Sequence, residues 1–126
     1  MSKKILIVDD NDQNRLLLHD VLAYHGYEVL MAADGAEGVR LAREHRPDLI
    51  LMDIQMPGMN GIEAGTVLRG DQLTKGIRML ALSSFNLLDD EDNFFATGFD
   101  GYIGKPIDFR QLPETVKHYL TNKEIL

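Results

Sequence analysis

Pro47-Asp48-Leu49-Ile50-Leu51-Met52-Asp53-Ile54-Gln55-Met56-Pro57-Gly58-Met59-Asn60-Gly61 lies in the middle of a chain of 126 residues. Residues 49–52 are apolar with no polar alternation, and the run stops at a carboxylate, Asp53. Unbroken short runs of this kind mark strands covered on both faces, as in a parallel sheet. Working outward, 5–8 is a second such run and stops at Asp9-Asp10. Residues 29–31 form another, 79–82 another that ends in Ser83, and 99–103 a weaker one followed by Lys105-Pro106. Between these runs lie segments with apolar residues at helical spacing, predicted as helices over 11–25, 36–45, 62–68, 87–97 and 109–120. Gly26 and Pro47 stand where the first two would stop.

Five strand–helix alternations predict an α/β fold: a doubly wound five-stranded parallel sheet, flavodoxin-like strand order 2-1-3-4-5, helices on both faces and right-handed crossovers. The length suits one domain, 1–126, with no linker, repeat or low-complexity tract. Hydrophobic residues make up 44%, enough for a core. No apolar run approaches membrane-spanning length, and 5–8 is too short for a signal peptide, so the expected setting is cytoplasmic with no membrane partner. Without cysteine there are no disulfides and no thiolate chemistry. A net charge of -7 argues against nucleic acid as a partner. The histidines at 19, 25, 45 and 118 are scattered and show no ligand spacing.

In sheets of this order, ligands bind beyond the carboxyl ends of the strands. Asp9-Asp10, Asp53, Ser83 and Lys105 all fall there, and strands one and three are neighbours, so three carboxylates converge. Crowded like charges raise at least one pKa unless a cation is bound. Hard oxygen ligands that leave room for water suit Mg²⁺, with Mn²⁺ open to the same donors. Each residue alone has an ordinary reading. Asp9-Asp10 could favour a helix N-terminus, although Asp12 is the better cap candidate. Asp53 could be a turn residue, Lys105 a solvated charge and Ser83 a helix cap. The Lys105-Pro106 bond could be cis. The weight lies in all of these falling at four strand ends.

With Ile-Leu-Ile-Val-Asp-Asp-Asn (5–11), the 47–61 stretch, Ala-Leu-Ser-Ser (81–84) and Gly-Phe-Asp-Gly-Tyr-Ile-Gly-Lys-Pro-Ile (98–107), the chain resembles the receiver domains of two-component response regulators from Lys4 to about Leu120. Asn14-Arg15 after the acids is similar to stand-alone cell-cycle regulators and hybrid-kinase receivers. The resemblance implies a phosphoacceptor signalling domain, not an enzyme acting on an external substrate. Asp53 would take a phosphoryl group from a histidine kinase or phosphotransfer protein. Asp10, Asp53 and the Gln55 main-chain carbonyl would bind Mg²⁺ directly, and Asp9 through water. Lys105 would pair with phosphoryl oxygens, Ser83 would hydrogen-bond them, and Tyr102 would be the switch aromatic. The kinase is expected on the first helix and the loop after Lys105, with one of Leu17 and Leu18 in the core. A downstream protein target is expected on the face made by predicted helix 87–97, the fifth strand and the last helix, where Leu87 and Phe95 are apolar candidates. The expected state is a monomer, with dimerisation on activation left open.

The sequence departs from the family at Ser84, where a small alanine is usual, and at Arg78, where proline is usual. Asp89-Asp90-Glu91-Asp92 reads as a favourable helix start, and Phe94-Phe95 point about 100° apart on a helix, so both can hardly enter the core. Two other chemistries compete for the same acids. An aspartate-nucleophile phosphatase would need an acid at position 55, which holds Gln55. A flavin module would need a phosphate-binding loop where the chain has Asp9-Asp10-Asn11-Asp12. The chain could stand alone, as the start Met1-Ser2-Lys3-Lys4 suggests, or be a module of a larger hybrid kinase or response regulator.

Overall fold

Every side chain of 5–8, 49–52 and 79–82 is fully buried. Burial on both faces requires helices on both sides of a sheet, and that is the observed layering. The computed structural model describes residues 2–84 and 97–121. Strands β1 (Lys4–Val8), β2 (Glu28–Ala32), β3 (Leu49–Asp53), β4 (Arg78–Ser84) and β5 (Gly101–Lys105) form one parallel sheet in the order β2-β1-β3-β4-β5. The described helices are α1 (Asp12–Tyr24), α2 (Gly35–His45), α3 (Gly61–Arg69) and α4 (Leu112–Thr121). None of them is long and apolar enough to cross a membrane.

Strand side chains alternate in direction, so each central strand feeds two cores. Leu6, Val8, Ile50, Met52, Met79 and Ala81 pack in one core with Ala42 of α2 and Ala64 and Leu68 of α3. Ile5, Ile7, Leu49, Leu51, Leu80 and Leu82 pack in the other with Leu18 and Leu22 of α1 and Leu112 and Val116 of α4. The expected doubly wound architecture and strand order are therefore those observed.

Several boundaries differ from the sequence reading. Asn11, not Asp12, caps α1: its side chain accepts from the Asn14 N–H at 2.9 Å, which leaves Asp12 as the first helical residue. β5 begins two residues later than expected. Phe99 is drawn into the core, and the Asp100 N–H donates to the Met79 carbonyl before the ladder starts. Lys105 is thus the last residue of β5 rather than a residue after it. β2 is an edge strand and is not buried on both faces; Met31 is exposed. The predicted first turn of the last helix, 109–111, is a turn preceding α4. Leu18 is core, while Leu16 and Leu17 are exposed. The Lys105–Pro106 bond is cis. The predicted helix 87–97, with its acidic run, Leu87 and Phe94-Phe95, lies outside the described residues except for its last position, Thr97.

Candidate functional site

Strand register decides which residues meet at the carboxyl edge of the sheet. Val8 pairs with Met52, so Asp9 follows β1 at the level where Asp53 ends β3. Asp53 pairs with Leu82, Ser83 with Gly104, and Ser84 with Lys105. Asp9, Asp10 and Asp53 each offer a carboxylate oxygen within 4.8 Å of the others. Asp9 and Asp53 are buried and Asp10 is exposed, so the cluster opens to solvent on the Asp10 side.

Lys105 Nζ donates to Asp53 Oδ2 at 2.8 Å and lies 3.7 Å from Asp9 Oδ2. The other Asp53 oxygen, Oδ1, accepts the Gln55 N–H at 2.9 Å. Asp9 Oδ1 accepts the Asn11 N–H, also at 2.9 Å. Asp9 Oδ2 is different: among the described residues it is a buried side-chain oxygen with no hydrogen-bond donor. Burial pushes the Asp9 carboxyl above its ordinary range and nearby Asp53 adds to that, against the opposing pull of the Asn11 amide and Lys105. One ammonium thus faces two buried carboxylates, and the site is short of positive charge. That donor set, hard oxygens with one unsatisfied and one side open to water, fits Mg²⁺ or Mn²⁺.

Ser83 is buried beside this cluster. Tyr102 pairs with Ala81, two positions before the Ser83–Gly104 pair, and its side chain is on the outer edge at 38% exposure. Among the described residues, nothing stands within 4 Å of where a Cβ on Gly104, opposite Ser83, would be.

Over residues 5–117 the sequence matches the response regulator receiver domain. The chain belongs to that family. Receiver domains are signalling modules whose partners are histidine kinases and phosphotransfer proteins, which sets aside the phosphatase and flavin alternatives. The polar-differentiation response regulator DivK of Brucella anthropi is 42% identical over 120 residues, covering 95% of this chain and 98% of that one. DivK of Brucella ovis is 41% identical over the same shares. Among solved structures, the chemotaxis protein CheY4 of Vibrio cholerae superposes with a TM-score of 0.90 at 32% identity, over 95% of this chain and 100% of that one. The receiver domain of a Pseudomonas aeruginosa sensor histidine kinase, which holds a magnesium ion coordinated in its active-site cleft, superposes with a TM-score of 0.88 at 30% identity, over 97% of this chain and 100% of that one.

Two residues of this receiver's site were not legible from the sequence. The sequence shows Arg15 only as part of the Asn14-Arg15 pattern, and its guanidinium turns back onto the Asp9 carbonyl. Gly61 begins α3 directly against the end of β3: a Cβ there would stand 2.4 Å from the Asp53 carbonyl oxygen and 2.6 Å from Ile54 Cα. Asn60 and Glu63 cap this helix reciprocally, which fixes the approach. Backbone atoms cannot swing aside as a flexible side chain can. Gly61→Ala is therefore expected to destabilise the fold by about 2 kcal/mol through overpacking. Urea denaturation measures this, and a change within about 0.5 kcal/mol, the usual range for surface substitutions, would show that α3 can back away from the strand.

Proposed function

We propose that this receiver domain accepts a phosphoryl group on Asp53 from the phosphohistidine of a histidine kinase or phosphotransfer protein, and that the covalent change alters which proteins it binds. The observation that carries the reading is the placement of Asp53 Oδ2 2.8 Å from Lys105 Nζ, inside a cluster of three carboxylates. Phosphoryl transfer needs positioning and charge neutralisation more than covalent help.

A carboxylate oxygen of Asp53 attacks phosphorus in line with the phosphorus–nitrogen bond. The new oxygen–phosphorus bond forms as that bond breaks, and the imidazole nitrogen leaves with the electron pair and takes a proton from solvent. Gln55 holds Oδ1 through its N–H, which orients the carboxylate. Lys105 offsets charge on the phosphoryl oxygens as it arrives. Asp10, Asp53 and the Gln55 main-chain carbonyl would hold Mg²⁺, or Mn²⁺ in its place, with Asp9 bound through water. The bound ion supplies further positive charge against the phosphoryl oxygens. Attack by water on phosphorus releases inorganic phosphate, restores the Asp53 carboxylate and resets the signal.

Incubation with a small phosphodonor, followed by intact mass, tests the reading. One phosphoryl adduct is expected in the presence of Mg²⁺ and none in chelator. Full reaction in chelator would remove the metal from the scheme.

Ser83 and Tyr102 are the proposed readout. A phosphoryl oxygen on Asp53 would draw the buried Ser83 hydroxyl toward it by a charge-assisted hydrogen bond. Gly104 pairs with Ser83 and lies two positions after Tyr102 on β5, and among the described residues nothing stands within 4 Å of where its Cβ would be, so Gly104 sets no side chain in the way of an inward ring. The β5 edge and α4, which are expected to meet the downstream target, would change shape with it. The shift extends only as far as the difference in affinity between the two states. Tyrosine-selective NMR with a beryllofluoride mimic of the phosphoryl group is expected to show the Tyr102 signal move. A Tyr102 signal that stays put while Ser83 responds would show the two are uncoupled.

A further inference from the structure

Arg15 occupies a position that helix electrostatics disfavour. It lies in the first turn of α1, where the positive end of the helix dipole repels a cation. Its side chain nevertheless stays against the protein, at 18% exposure, rather than extending into water. One prong of the guanidinium, Nη1, donates to the main-chain carbonyl of Asp9 at 2.7 Å. The other, Nη2, pairs with the Asp12 carboxylate. The Asp9 carbonyl belongs to the same planar amide as the Asp10 N–H, so holding one fixes the other. Asp9 is further tied by its N–H to the Ala32 carbonyl at 3.1 Å and by Oδ1 to the Asn11 N–H. With those anchors the backbone that carries Asp10 has little freedom, while the Asp10 carboxylate itself stays exposed at the open side of the cluster.

We infer that Arg15 is a positioning residue for metal binding: by gripping the Asp9 carbonyl it presets the Asp9–Asp10 peptide, and so holds the Asp10 carboxylate where an ion meets it. This rests on the reading of the acidic cluster as the Mg²⁺ site. The inference makes a prediction opposite in sign to simple charge. A cation beside a metal site repels the metal, so losing Arg15 as a mere charge would tighten binding. Losing it as a positioning group weakens binding, because groups that orient metal ligands typically change affinity by 10- to 100-fold.

Calorimetric titration with Mg²⁺ at fixed ionic strength separates the two, with thermal melts in chelator confirming that each chain folds. Arg15→Gln is expected to bind Mg²⁺ about tenfold more weakly than the unaltered chain. Arg15→Lys keeps the charge but not the two-pronged fork and is expected to bind more weakly too. Equal or tighter binding in Arg15→Gln overturns the role of Arg15 while leaving the metal site standing. Failure of the unaltered chain to bind Mg²⁺ takes down both readings. Should Arg15→Gln not fold, Arg15→Lys decides alone: weaker binding supports the inference, and unchanged affinity overturns it.

Discussion

Asp53→Asn is expected to carry no phosphoryl group after incubation with a small phosphodonor and Mg²⁺, and the unaltered chain is expected to carry one. The amide nitrogen that replaces one oxygen is no nucleophile, and the charge that draws Lys105 to 2.8 Å is gone. Asp9 and Asp10 remain, but neither is placed as Asp53 is. Asp9 Oδ2 is 3.7 Å from Lys105 Nζ, and Asp9 is fully buried at the back of the cluster. Asp10 is the exposed member, and no hydrogen bond or ion pair from Lys105 reaches it among the contacts of the described residues. Lys105→Met gives a graded comparison. It keeps the nucleophile and removes the ammonium, and losing one preorganised charge-stabilising donor slows comparable reactions by about 10²–10³-fold. Intact mass against time reads both variants. An adduct in Asp53→Asn as abundant as in the unaltered chain would move the phosphoacceptor to another residue.

The second large effect is on stability and lies away from the site. Arg69, the last residue of α3, donates through Nε to the Gly98 carbonyl at 2.9 Å and through Nη1 to the carbonyls of Lys75 and Ile77. Its Nη2 meets Asp100 Oδ2 at 3.1 Å, and that oxygen also accepts the Met79 N–H. One guanidinium therefore ties the end of α3 to the chain entering β4 and to the chain entering β5, the strands that carry Ser83 and Lys105. Gly98 is at φ +108°, and a Cβ there would lie 2.7 Å from Arg69 Cγ, so the turn and the arginine are fitted to each other. Burial pulls the guanidinium below its usual range and Asp100 opposes that, but arginine stays charged. Arg69→Ala would leave three carbonyls without their arginine donor, and Asp100 with the Met79 N–H but no cation, in a half-buried place. Water reaches part of it, so the expected loss is ~3 kcal/mol, at the low end for breaking a buried pair. Urea denaturation reads it, and a loss below about 1 kcal/mol, the worth of an exposed pair, would mean solvent replaces the arginine without penalty.

Local pattern alone was enough for the fold class and for the polar residues that end the central strands. Residues 5–8, 49–52 and 79–82 read as strands buried on both faces because a strand between two helical layers has no polar side to show, and burial of that kind is written residue by residue. Each of those strands ends at a polar residue, so Asp9, Asp53 and Ser83 stood out wherever the sheet came to lie. What a residue meets across 40 or 50 positions has no such local trace. Met31 has the same apolar character as the buried runs, yet β2 is an edge strand and leaves it exposed. Leu17 and Leu18 are neighbours of equal hydrophobicity, and only the rotation of α1 against the sheet puts Leu18 inside. β5 starts later than expected because Phe99 joins the core and Asp100 finds a partner 21 residues away at Met79. The helix cap fell to Asn11 over Asp12 by backbone geometry at that one turn. Arg15 and Arg69 look like any other basic residues on helices. Their roles exist only once the chain has brought carbonyls within reach of a rigid five-donor fork, a condition on distance that sequence spacing does not encode. The lone oxygen of Asp9, short of a donor beside an ammonium already shared, is likewise a property of three strands meeting at one edge and of no single one of them.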